Sequence, residues 1–397
     1  MTFAIKDKLA IVGSGCTRFD ENFDQSYGDL IAEAAFEAFE EAGVGPKDIE
    51  AAWLSTAFPD ATVYHGKAGH DLCEPLSLRN IPVTRVSNFC GSAGDAVVNA
   101  AHALLSGRYK VVLAMGVEKL RDRSPRVLVN SSIEGFHPLY QKGVTAAGAF
   151  AVYANRMMAE VGLTREHLAK ISAKNHCFGF HNPKAEYRIK MTPEEVLKSP
   201  MVVYPLTVMD CCPTTDGAAC VIMTRTDDAG AYNKDYILIK SIELVVSDGY
   251  DYPYFDSDND FIRFKNLKIG AKKLYEAAGI KDPINEIDCA EVHDCFTVNE
   301  AITYEGLELV SRLEDIPSYI DEGIFDAGGK LPINTSGGLI SCGHPIGATG
   351  LRMMYAIKEQ LQEKAGGAQV KNARIGLTEN MGGSGSVIAL SILGRKD

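Results

Sequence analysis

The chain has 397 residues, of which 46% are hydrophobic and 23% charged, a composition ordinary for a globular protein with one large or a few smaller domains. Its formal net charge of −12 at pH 7 disfavours nucleic acid as a partner, because a polyanion would be repelled. The apolar runs fall short of the ~20 residues that a membrane-spanning helix needs. We therefore expect no membrane span and, since the N-terminus lacks the layout of a signal peptide, a cytoplasmic protein.

The first half of the chain alternates segments of strand and helix character. Apolar runs predict strands over 8–15, 49–56, 81–89 and 110–118, and apolar residues at helical spacing predict helices over 26–44 and 91–107. This order of elements is typical of a sheet that is covered by helices on both faces.

A similar order returns in the second half of the chain. It predicts strands over 236–246 and 287–296, helices over 263–280, 297–309 and 348–367, and two C-terminal strands joined by a glycine turn. The sequence therefore predicts a duplicated α/β unit. The intervening segment, about 120–205, is richer in charge and is predicted to be an inserted, mostly helical excursion.

The ten cysteines are scattered and form no C-x-x-C pair, so neither a zinc ribbon nor a disulfide scaffold is predicted. Cys90 differs from the others because, in "VSNFCGSAGDAVVNAA" (86–101), it stands where a strand is followed by a helix. A helix N-terminus stabilises a thiolate, and the small residues 91–94 would leave open space above the sulfur. The alternative is a structural thiol at a tight junction, and this stretch alone leaves both interpretations open.

Two further stretches contain histidine at positions suited to catalysis. In "NTSGGLISCGHPIGATG" (334–350), His344 lies between a glycine and a proline before a helix, where a rigid backbone would hold it as a base or an oxyanion donor. In "EVHDCFTVNEA" (291–301), His293 and Cys295 follow a strand end, where α/β proteins usually have their sites. The alternatives are a glycine-rich loop with an incidental imidazole, and strand-end residues packed beneath a helix.

Together these motifs make the chain similar to the thiolase family, and in particular to its sterol-carrier-protein-2 branch. "NFCGSAG" resembles the nucleophile motif, "GGLISCGHPIGATG" the glycine–histidine–proline motif, "HDCF" the signature of this branch, and "TTDGAAC" (214–220) a strand that ends the loop domain. Ordinary thiolases have a catalytic cysteine in their last motif, but here that region reads "ENMGGSGS" (379–386). The branch has its acid/base cysteine in "HDCF" instead. The glycine turn would offer backbone N–H groups to an oxyanion, or would be only a hairpin.

The resemblance implies an α/β thiolase fold, with duplicated five-stranded mixed sheets and helices in an αβαβα layering, plus an inserted helical loop domain. It divides the chain into an N-terminal half over 1–120 and 205–235, a loop domain over 121–204 for CoA and substrate, and a C-terminal half over 236–397. Because the sequence ends without the sterol-carrier domain that is fused in some members, we expect no lipid transfer by such a tail.

The resemblance also implies the catalytic roles. Cys90 would be the nucleophile that carries the acyl group as a thioester, and His344 the base that activates it and a donor to one oxyanion. Cys295 would be the acid/base for the proton at the substrate α-carbon or on the CoA thiol. His293 would belong to the oxyanion hole of the second acyl group, and the backbone N–H groups of Cys90 and Gly383 would form the other hole.

CoA is expected as a substrate, with no tightly bound cofactor and no metal. Its phosphates would meet basic residues in or near the loop domain, although solvated surface charge is the alternative for each of them. The candidates are Arg121, Arg123, Lys184 and Arg188, and beside them Lys119, Arg126, Lys174 and Lys190. The resemblance further implies a homodimer through the N-terminal sheet and, as in some relatives, a small zinc-ribbon OB-fold partner.

The resemblance implies thiolysis of a 3-oxoacyl-CoA by CoA, in a degradative role and with a bulky, branched or aromatic acyl chain, for example one of the benzoylsuccinyl-CoA type. A biosynthetic condensing thiolase runs the same chemistry in reverse. A ketoacyl synthase is a second enzymatic alternative, against which the extra Cys295 argues. The alternative of another class is a non-catalytic subunit that binds acyl-CoA or serves as a scaffold.

Overall fold

The structure is a computed structural model that describes residues 5–59, 68–124, 145–247 and 259–396. The strands are β1 (Leu9–Cys16), β2 (Ala51–Ser55), β3 (Val83–Val86), β4 (Val111–Glu118), β5 (Met201–Val203), β6 (Leu206–Thr207), β7 (Gly217–Arg225), β8 (Ile237–Val246), β9 (Cys289–Glu291), β10 (Ile375–Gly382) and β11 (Val387–Arg395). The helices are α1 (Tyr27–Ala42), α2 (Cys73–Leu76), α3 (Ser92–Leu105), α4 (Ala146–Val161), α5 (Arg165–Gly179), α6 (Pro193–Lys198), α7 (Thr226–Tyr232), α8 (Lys265–Ala278), α9 (Pro283–Glu286), α10 (Thr297–Gly306), α11 (Ile316–Asp321), α12 (Gly338–Cys342) and α13 (Thr349–Leu361).

One mixed sheet runs through the described part of the chain, in the order β3-β2-β4-β7-β1-β8-β11-β10-β9. The first half supplies five strands and the second half four, and Leu9–Ile11 pairs with Ile237–Ile239 where the halves meet. A parallel bridge between Ala290 and Ile333 lies beyond β9, in the place of a fifth strand. This strand is reduced to a bridge because the next residue, Asn334, has a φ of +60° and turns the chain into a glycine-rich segment.

The two halves repeat one order of elements. The first half runs β1-α1-β2-β3-α3-β4-β7, and the second runs β8-α8-β9, the bridge strand, then α13-β10-β11. Helices α3 and α13 contact each other and strands of both halves, whereas α1 packs on β1 and β7 and α8 packs on β8 and β11. The strands of the two halves therefore form two layers with α3 and α13 between them, and the predicted αβαβα layering is confirmed. The predicted pair of five-stranded sheets is observed as one nine-stranded sheet and a bridge, because β1 and β8 join the halves edge to edge. No helix of the described residues is long and apolar enough to span a membrane.

Local signals set the bounds of α1. The Ser26 hydroxyl accepts the N–H of Asp29 at 3.1 Å, and the Asp29 carboxylate accepts the N–H of Ser26 at 2.8 Å. This reciprocal capping box begins the helix, and Gly43, in the left-handed region with a φ of 65°, ends it. Leu30, Ala34 and other small or apolar side chains then face the strands.

The first turn of α3 packs closely against β11. A Cβ on Gly91 would lie 2.8 Å from the side chain of Val387, and one on Gly94 would lie 2.3 Å from that of Ala389. The expectation that residues 91–94 leave open space above the predicted nucleophile is therefore wrong. These positions are small because they face the neighbouring layer, where a side chain has no room.

The predicted insertion packs against elements of the second half of the chain. In its described part, α4 and α5 both contact α10, the helix that follows the predicted acid/base cysteine. Phe150 of α4 packs its ring 5.0 Å from that of Phe296, and Leu168 and Ile171 of α5 belong to the same apolar core as Val298. The insertion thus helps to exclude water from the loop between β9 and α10.

Candidate active site

Cys90 lies in a constrained turn between β3 and α3. Phe89 has a φ of +49°, a conformation that is rare for a residue with a large side chain. The Ser92 hydroxyl fixes this turn, because it accepts the N–H of Asn88 at 2.7 Å and donates to the carbonyl of Phe89 at 2.5 Å. Helix α3 begins two residues after Cys90, so the half-buried sulfur lies near the positive end of the helix dipole.

The imidazole of His344 contacts the sulfur of Cys90. Its Nε2 is 3.2 Å from Sγ, and its Nδ1 is 2.7 Å from the hydroxyl of Thr349. The Thr349 hydroxyl donates its single proton to the carbonyl of Pro345 at 3.1 Å. It therefore accepts from Nδ1–H, and Nε2 is the nitrogen with a lone pair that faces the thiol.

The loop after His344 is anchored to the first half of the chain. The N–H of Gly347 donates to the buried carboxylate of Glu118 at 2.9 Å, and the Ser55 hydroxyl donates to the carbonyl of Gly347 at 2.7 Å. Glu118 also accepts the hydroxyl of Thr56 at 3.1 Å. No local pattern predicts this anchor, because Ser55, Glu118 and Gly347 lie far apart in the chain.

His293 completes a cluster with these two residues. Its ring centroid is 5.1 Å from that of His344, and the planes meet at 85°. One nitrogen of each ring and Sγ of Cys90 all lie within 4.8 Å of one another. The N–H of His293 donates to Glu379 at 2.8 Å, which fixes the backbone of the loop after β9.

Both imidazoles are shifted toward the neutral form. Burial, with a smaller contribution from the charge of Arg352, lowers the pKa of His344 to about 3. Burial also lowers the pKa of His293 well below its ordinary value, and His344 and Arg352 add to this shift. A neutral imidazole has a lone pair at one nitrogen and an N–H at the other. In His344 the N–H is held by Thr349, so the lone pair of Nε2 suits the predicted base, and an oxyanion can accept from Nε2 only after it has taken a proton.

Cys90, His293 and His344 are also the only group in the described residues with the types and spacing of a metal-ligand set. One sulfur and two imidazole nitrogens would suit zinc, although a structural zinc site has a fourth ligand. The direct contact from Cys90 to His344 already uses the lone pair of Nε2. The predicted absence of a metal stays a prediction.

Cys295 is buried near the same cluster. The amide Nδ2 of Asn299 is 3.0 Å from its sulfur. Burial raises the pKa of Cys295 well above its ordinary value, and Cys212 and Cys90 raise it further. The N–H of Cys212 donates to the carbonyl of Cys295 at 2.9 Å, so Cys212 is a neighbour of the site that the sequence did not single out. The structure thus brings the four predicted catalytic side chains together, while their roles stay predictions.

A buried polar network supports the loop that contains His293 and Cys295. Asp294 accepts the N–H of Leu339 at 2.6 Å and the amide of Asn175 at 2.7 Å, and the same amide donates to Glu300 at 2.7 Å. Lys174 donates to Glu300 and is buried. The suggestion that Lys174 meets a CoA phosphate is therefore wrong, because its charge is used inside the protein.

Lys119, a second residue suggested to bind a CoA phosphate, is also paired inside the protein. Lys119 is buried, and its Nζ donates to Asp216 at 2.8 Å and to Asp122 at 2.9 Å. These contacts join the end of β4 to the segment before β7. Because the charge of Lys119 is balanced inside the protein, the suggestion that it binds CoA is wrong. The sequence did not predict this internal ion pair of Lys119, because its partner Asp216 is distant in the chain.

The remaining CoA candidates lie nearer to solvent. Arg121 pairs with Glu21, and the Nζ of Lys184 is 2.6 and 2.7 Å from the two carboxylate oxygens of Glu37. The exposed side chains are Arg123, Arg188 and Lys190. Arg126 lies outside the described residues. The roles of these residues toward CoA stay predictions.

Gly383 lies in the turn between β10 and β11, with a φ of 63°. The preceding Gly382 approaches the nucleophile turn so closely that a Cβ there would be 2.8 Å from the carbonyl of Asn88 and 2.9 Å from the N–H of Gly91. The glycine turn is thus packed beside Cys90. Its role as an oxyanion donor stays a prediction.

Two protein-family models match this chain. Residues 9–227 match the family model "Thiolase, N-terminal domain", and residues 248–395 match "Thiolase C-terminal domain-like". The chain belongs to the thiolase family. Thiolases are acyltransferases, and this chain is therefore an enzyme of that class. The predicted membership is confirmed.

Two relatives show the range of the similarity. The acetyl-CoA acetyltransferase of Methanothermobacter thermautotrophicus is 34% identical over 98% of this chain and 99% of its own length. Human sterol carrier protein 2 is 32% identical over 96% of this chain and 71% of its own length. The second relative bears out the predicted similarity to the sterol-carrier-protein-2 branch.

Solved structures share the fold along nearly the whole chain. The Ltp2-ChsH2(DUF35) aldolase matches with a TM-score of 0.83 at 24% identity, and human mitochondrial 3-ketoacyl-CoA thiolase in complex with CoA matches with a TM-score of 0.72 at 16% identity. Each match covers 99% of this chain and 99% of the compared chain. At these identities the likeness concerns the fold alone.

Proposed function

We propose that this thiolase cleaves a 3-oxoacyl-CoA with CoA through an acyl-enzyme at Cys90. The observation that supports this most directly is the 3.2 Å contact between the sulfur of Cys90 and Nε2 of His344. A thiol beside an imidazole lone pair is an activated nucleophile, and the N-terminus of α3 favours negative charge on the sulfur.

In the first half-reaction, Nε2 of His344 takes the proton of Cys90 while the sulfur attacks the 3-oxo carbonyl. Collapse of the tetrahedral intermediate breaks the bond between the α- and β-carbons and leaves the acyl group on Cys90. The departing enolate takes a proton from Cys295 and becomes the shorter CoA thioester. The high pKa of Cys295 suits a group that keeps its proton until a strong base removes it.

In the second half-reaction, the thiol of CoA attacks the thioester on Cys90. The Cys295 thiolate takes the proton of CoA, and the sulfur of Cys90 leaves and recovers its proton from His344. Negative oxygens rest on N–H donors throughout, with neutral His293 and the Nε2–H that His344 gains from Cys90 for one, and the backbones of Cys90 and Gly383 for the other. Each such donor typically contributes about 3 kcal/mol to the lowering of the barrier.

CoA enters this scheme as a substrate rather than as a bound cofactor. Its phosphates contact the exposed guanidinium groups of Arg123 and Arg188, with Arg121 and Lys184 nearby. The two latter residues are paired with Glu21 and Glu37, so a phosphate there competes with a carboxylate. The Arg188→Ala variant tests the proposed contact with the CoA phosphates. It should have a higher KM for CoA and an unchanged kcat.

The substrate has a bulky, branched or aromatic acyl chain and is degraded rather than built. The similarity to sterol carrier protein 2 supports a large acyl group, whereas the similarity to acetyl-CoA acetyltransferases supports a short one. Thiolysis of a panel that runs from acetoacetyl-CoA to branched and aromatic 3-oxoacyl-CoAs decides between them. A kcat/KM that is highest for acetoacetyl-CoA would contradict the proposal.

The enzyme acts as a homodimer and with a small partner protein. A DUF35 protein is part of the Ltp2-ChsH2(DUF35) aldolase, whose fold this chain shares, and this supports a zinc-ribbon OB-fold partner. The panel is therefore run with and without the product of a neighbouring zinc-ribbon reading frame. Light scattering of the purified chain measures the oligomeric state, and a monomer at micromolar concentration contradicts the dimer.

The decisive experiment separates the chemistry of the two thiols. Incubation with an acetyl-CoA donor should add one acetyl group to Cys90, seen as a mass increase that is lost in Cys90→Ala. Cys295→Ser should retain this acylation and lose nearly all thiolysis, whereas a ketoacyl synthase would lose little. Absence of both acylation and acyl transfer, with partner candidates added, would leave only a non-catalytic subunit.

A further inference from the structure

The cluster of Cys90, His293 and His344 has the dimensions of a small metal site. The sulfur and one nitrogen of each ring lie within 4.8 Å of one another. Around a tetrahedral zinc ion, one sulfur and two nitrogen ligands lie about 3.3–3.6 Å apart. The sulfur of Cys90 and Nε2 of His344, at 3.2 Å, are already close to this separation. The nitrogen of His293 has to approach by about 1.5 Å at most to complete the set.

A hydrogen bond on the far side of the ring prepares His344 as a ligand. The Thr349 hydroxyl accepts Nδ1–H at 2.7 Å, which leaves the lone pair on Nε2. Histidines that bind metals almost always donate their other ring N–H to such a partner, because this fixes the tautomer and the orientation of the ring. The bond that makes His344 a base therefore also makes it a good metal ligand.

The imidazole of His293 is not committed to one tautomer. Its Nδ1 is buried and has no hydrogen-bond partner in the described part of the chain. The bond from its backbone N–H to Glu379 holds the loop but leaves the ring proton free to sit on either nitrogen. The nitrogen that faces Cys90 can therefore carry the lone pair that a metal needs.

The charges around the cluster permit a divalent cation. Burial favours neutral imidazoles, which are the form that binds metals. The thiol of Cys90 releases its proton to solvent when it binds the ion, and the N-terminus of α3 stabilises the thiolate. The nearby charge of Arg352 opposes a cation, but it is paired with buried Glu291 at 2.8 Å.

The ligand types select the ion. Magnesium and calcium prefer oxygen ligands, whereas a thiolate with two imidazoles suits zinc. Three protein ligands leave the fourth position of a tetrahedral zinc ion to a water molecule. We propose that Cys90, His293 and His344 bind one zinc ion, with water as the fourth ligand, and that this ion inhibits the enzyme reversibly.

Inhibition follows from the electron pairs that the ion occupies. Zinc takes the sulfur electron pair with which Cys90 attacks a carbonyl, and it takes the Nε2 lone pair with which His344 accepts the thiol proton. This part of the inference rests on the proposed function, whereas zinc binding does not. Because no step of the proposed thiolysis needs a metal, the ion acts as an inhibitor and not as a cofactor.

Calorimetry of the full chain with zinc chloride measures the binding, and cobalt chloride serves as a coloured probe of the same site. Zinc should bind at one site per chain that depends on Cys90, and cobalt should give the near-ultraviolet absorption band of a thiolate ligand. Zinc should abolish alkylation of Cys90 by iodoacetamide. It should also abolish acetylation of Cys90 by acetyl-CoA, which has no free thiol that competes for the ion, and EDTA should restore both reactions.

Three variants separate the ligands. Cys90→Ala should lose one bound zinc ion per chain and the thiolate band of cobalt. His293→Asn keeps a polar side chain without a ring nitrogen, and it should weaken zinc binding by about 10-fold or more while the thiolate band remains. Cys177→Ser removes an exposed thiol outside the cluster and should bind zinc as the parent does.

The proposal is overturned if the parent and Cys90→Ala bind the same number of zinc ions, or if bound zinc leaves the alkylation of Cys90 unchanged. Equal zinc affinities of the parent and His293→Asn would also overturn it, and Cys90→Ala alone decides if His293→Asn does not unfold cooperatively. A chain that binds zinc but is never acetylated would contradict the proposed function and not the zinc site. Acetylation without zinc binding would contradict the zinc site and not the proposed function.

Discussion

At the residue scale, the candidate site depends on which nitrogen of His344 carries the proton. Thr349→Val keeps the shape of the side chain but removes the hydroxyl that accepts from Nδ1. The proton is then no longer held on Nδ1, and kcat for thiolysis should fall about 10²-fold, within the usual contribution of a general base. The Thr349→Ser variant retains the hydroxyl and should keep most activity.

The alkylation rate of Cys90 by iodoacetamide gives a second measure of this tautomer. It should fall in Thr349→Val and stay near the parent value in Thr349→Ser, because the thiol loses its acceptor only in the first variant. If thiolysis and alkylation are both unchanged in Thr349→Val, the assigned tautomer is wrong.

A second residue-scale prediction concerns the proton of Cys295. Asn299→Asp keeps the size of the side chain but replaces the donor to the sulfur with an acceptor. The thiolate of Cys295 then loses its hydrogen bond, so kcat at neutral pH should fall about 10-fold, as expected for a hydrogen bond to a charged group. The limb of the pH–rate profile that reports this thiol should move to higher pH. Alkylation of Cys90 should not change, and an unshifted profile would contradict the role of Asn299.

At the element scale, the site forms where two equivalent helices of the repeat begin. Cys90 precedes α3, and His344 precedes α13, and both helices lie in the central layer between the strands of the two halves. The third component, the loop with His293 and Cys295, follows β9 of the second half. Duplication of the unit thus places two helix N-termini near one point, and divergence gives one a thiol and the other an imidazole.

The close packing of α3 leads to a prediction about one glycine. Gly94→Ala places a Cβ 2.3 Å from the side chain of Ala389. Relief of this clash must move the helix or the strand, so the free energy of unfolding should decrease by about 1–3 kcal/mol, as for overpacked cores. Alkylation of Cys90 should slow as well, because the same helix turn fixes the thiol.

The matched control is Gly230→Ala in α7, where a Cβ meets no atom within 4 Å. This variant should be as stable as the parent or slightly more so, since alanine is the better helix former. Urea unfolding compares the two variants. Equal stabilities for Gly94→Ala and Gly230→Ala would show that α3 adjusts without cost.

The sequence predicted the elements well where local signals dominate. Apolar residues at helical spacing predict a helix over 26–44, and the observed α1, which a capping box at Ser26 begins and Gly43 ends, lies within two residues of both bounds. The predicted strand over 287–296 is observed only as Cys289–Glu291. The chain leaves the sheet there because the N–H of Val292 donates to the side chain of Asn334, at 2.8 Å, and such a distant partner has no signature in local periodicity.

The same limit applies to the candidate site. Cys90 and His344 stand out because their stretches are rich in small residues, and Cys295 because it follows a strand end beside His293. The resemblance to thiolases, rather than any one stretch, favours the catalytic interpretation over the structural one. Glu118 and Lys174 were missed or misjudged, since charged residues are most often solvated and their burial becomes visible only when distant partners are known.

At the scale of the whole molecule, buried titratable groups couple stability to pH. Burial raises the pKa of Glu379 to about 8, and it raises the pKa values of Glu118 and Asp294 as well. Burial lowers the pKa of His344 to about 3 and that of His176 to about 4. These shifts favour the protonated form of Glu379 and the neutral form of the two imidazoles, which gives opposite dependences on pH.

These shifts predict how stability changes near neutral pH. The ordinary pKa of glutamate is 4.5, and the folded value for Glu379 is about 8, so its contribution is complete below pH 4.5 and is lost as pH rises through 8. The contribution of His344 is complete above its ordinary pKa of 6.5 and is lost as pH falls toward 3. Between pH 6.5 and 8 the carboxyl groups dominate, and the free energy of unfolding should decrease.

Glu379→Gln isolates one part of this decrease. The amide keeps an oxygen for the N–H of His293 and cannot ionise, so the free energy of unfolding should depend less on pH between 6.5 and 8 than in the parent. Urea unfolding at several pH values in this window measures the slope, and Glu314→Gln, at an exposed position, should keep the parent slope. An identical slope in Glu379→Gln would mean that this carboxyl group is already ionised in the folded protein at pH 6.5.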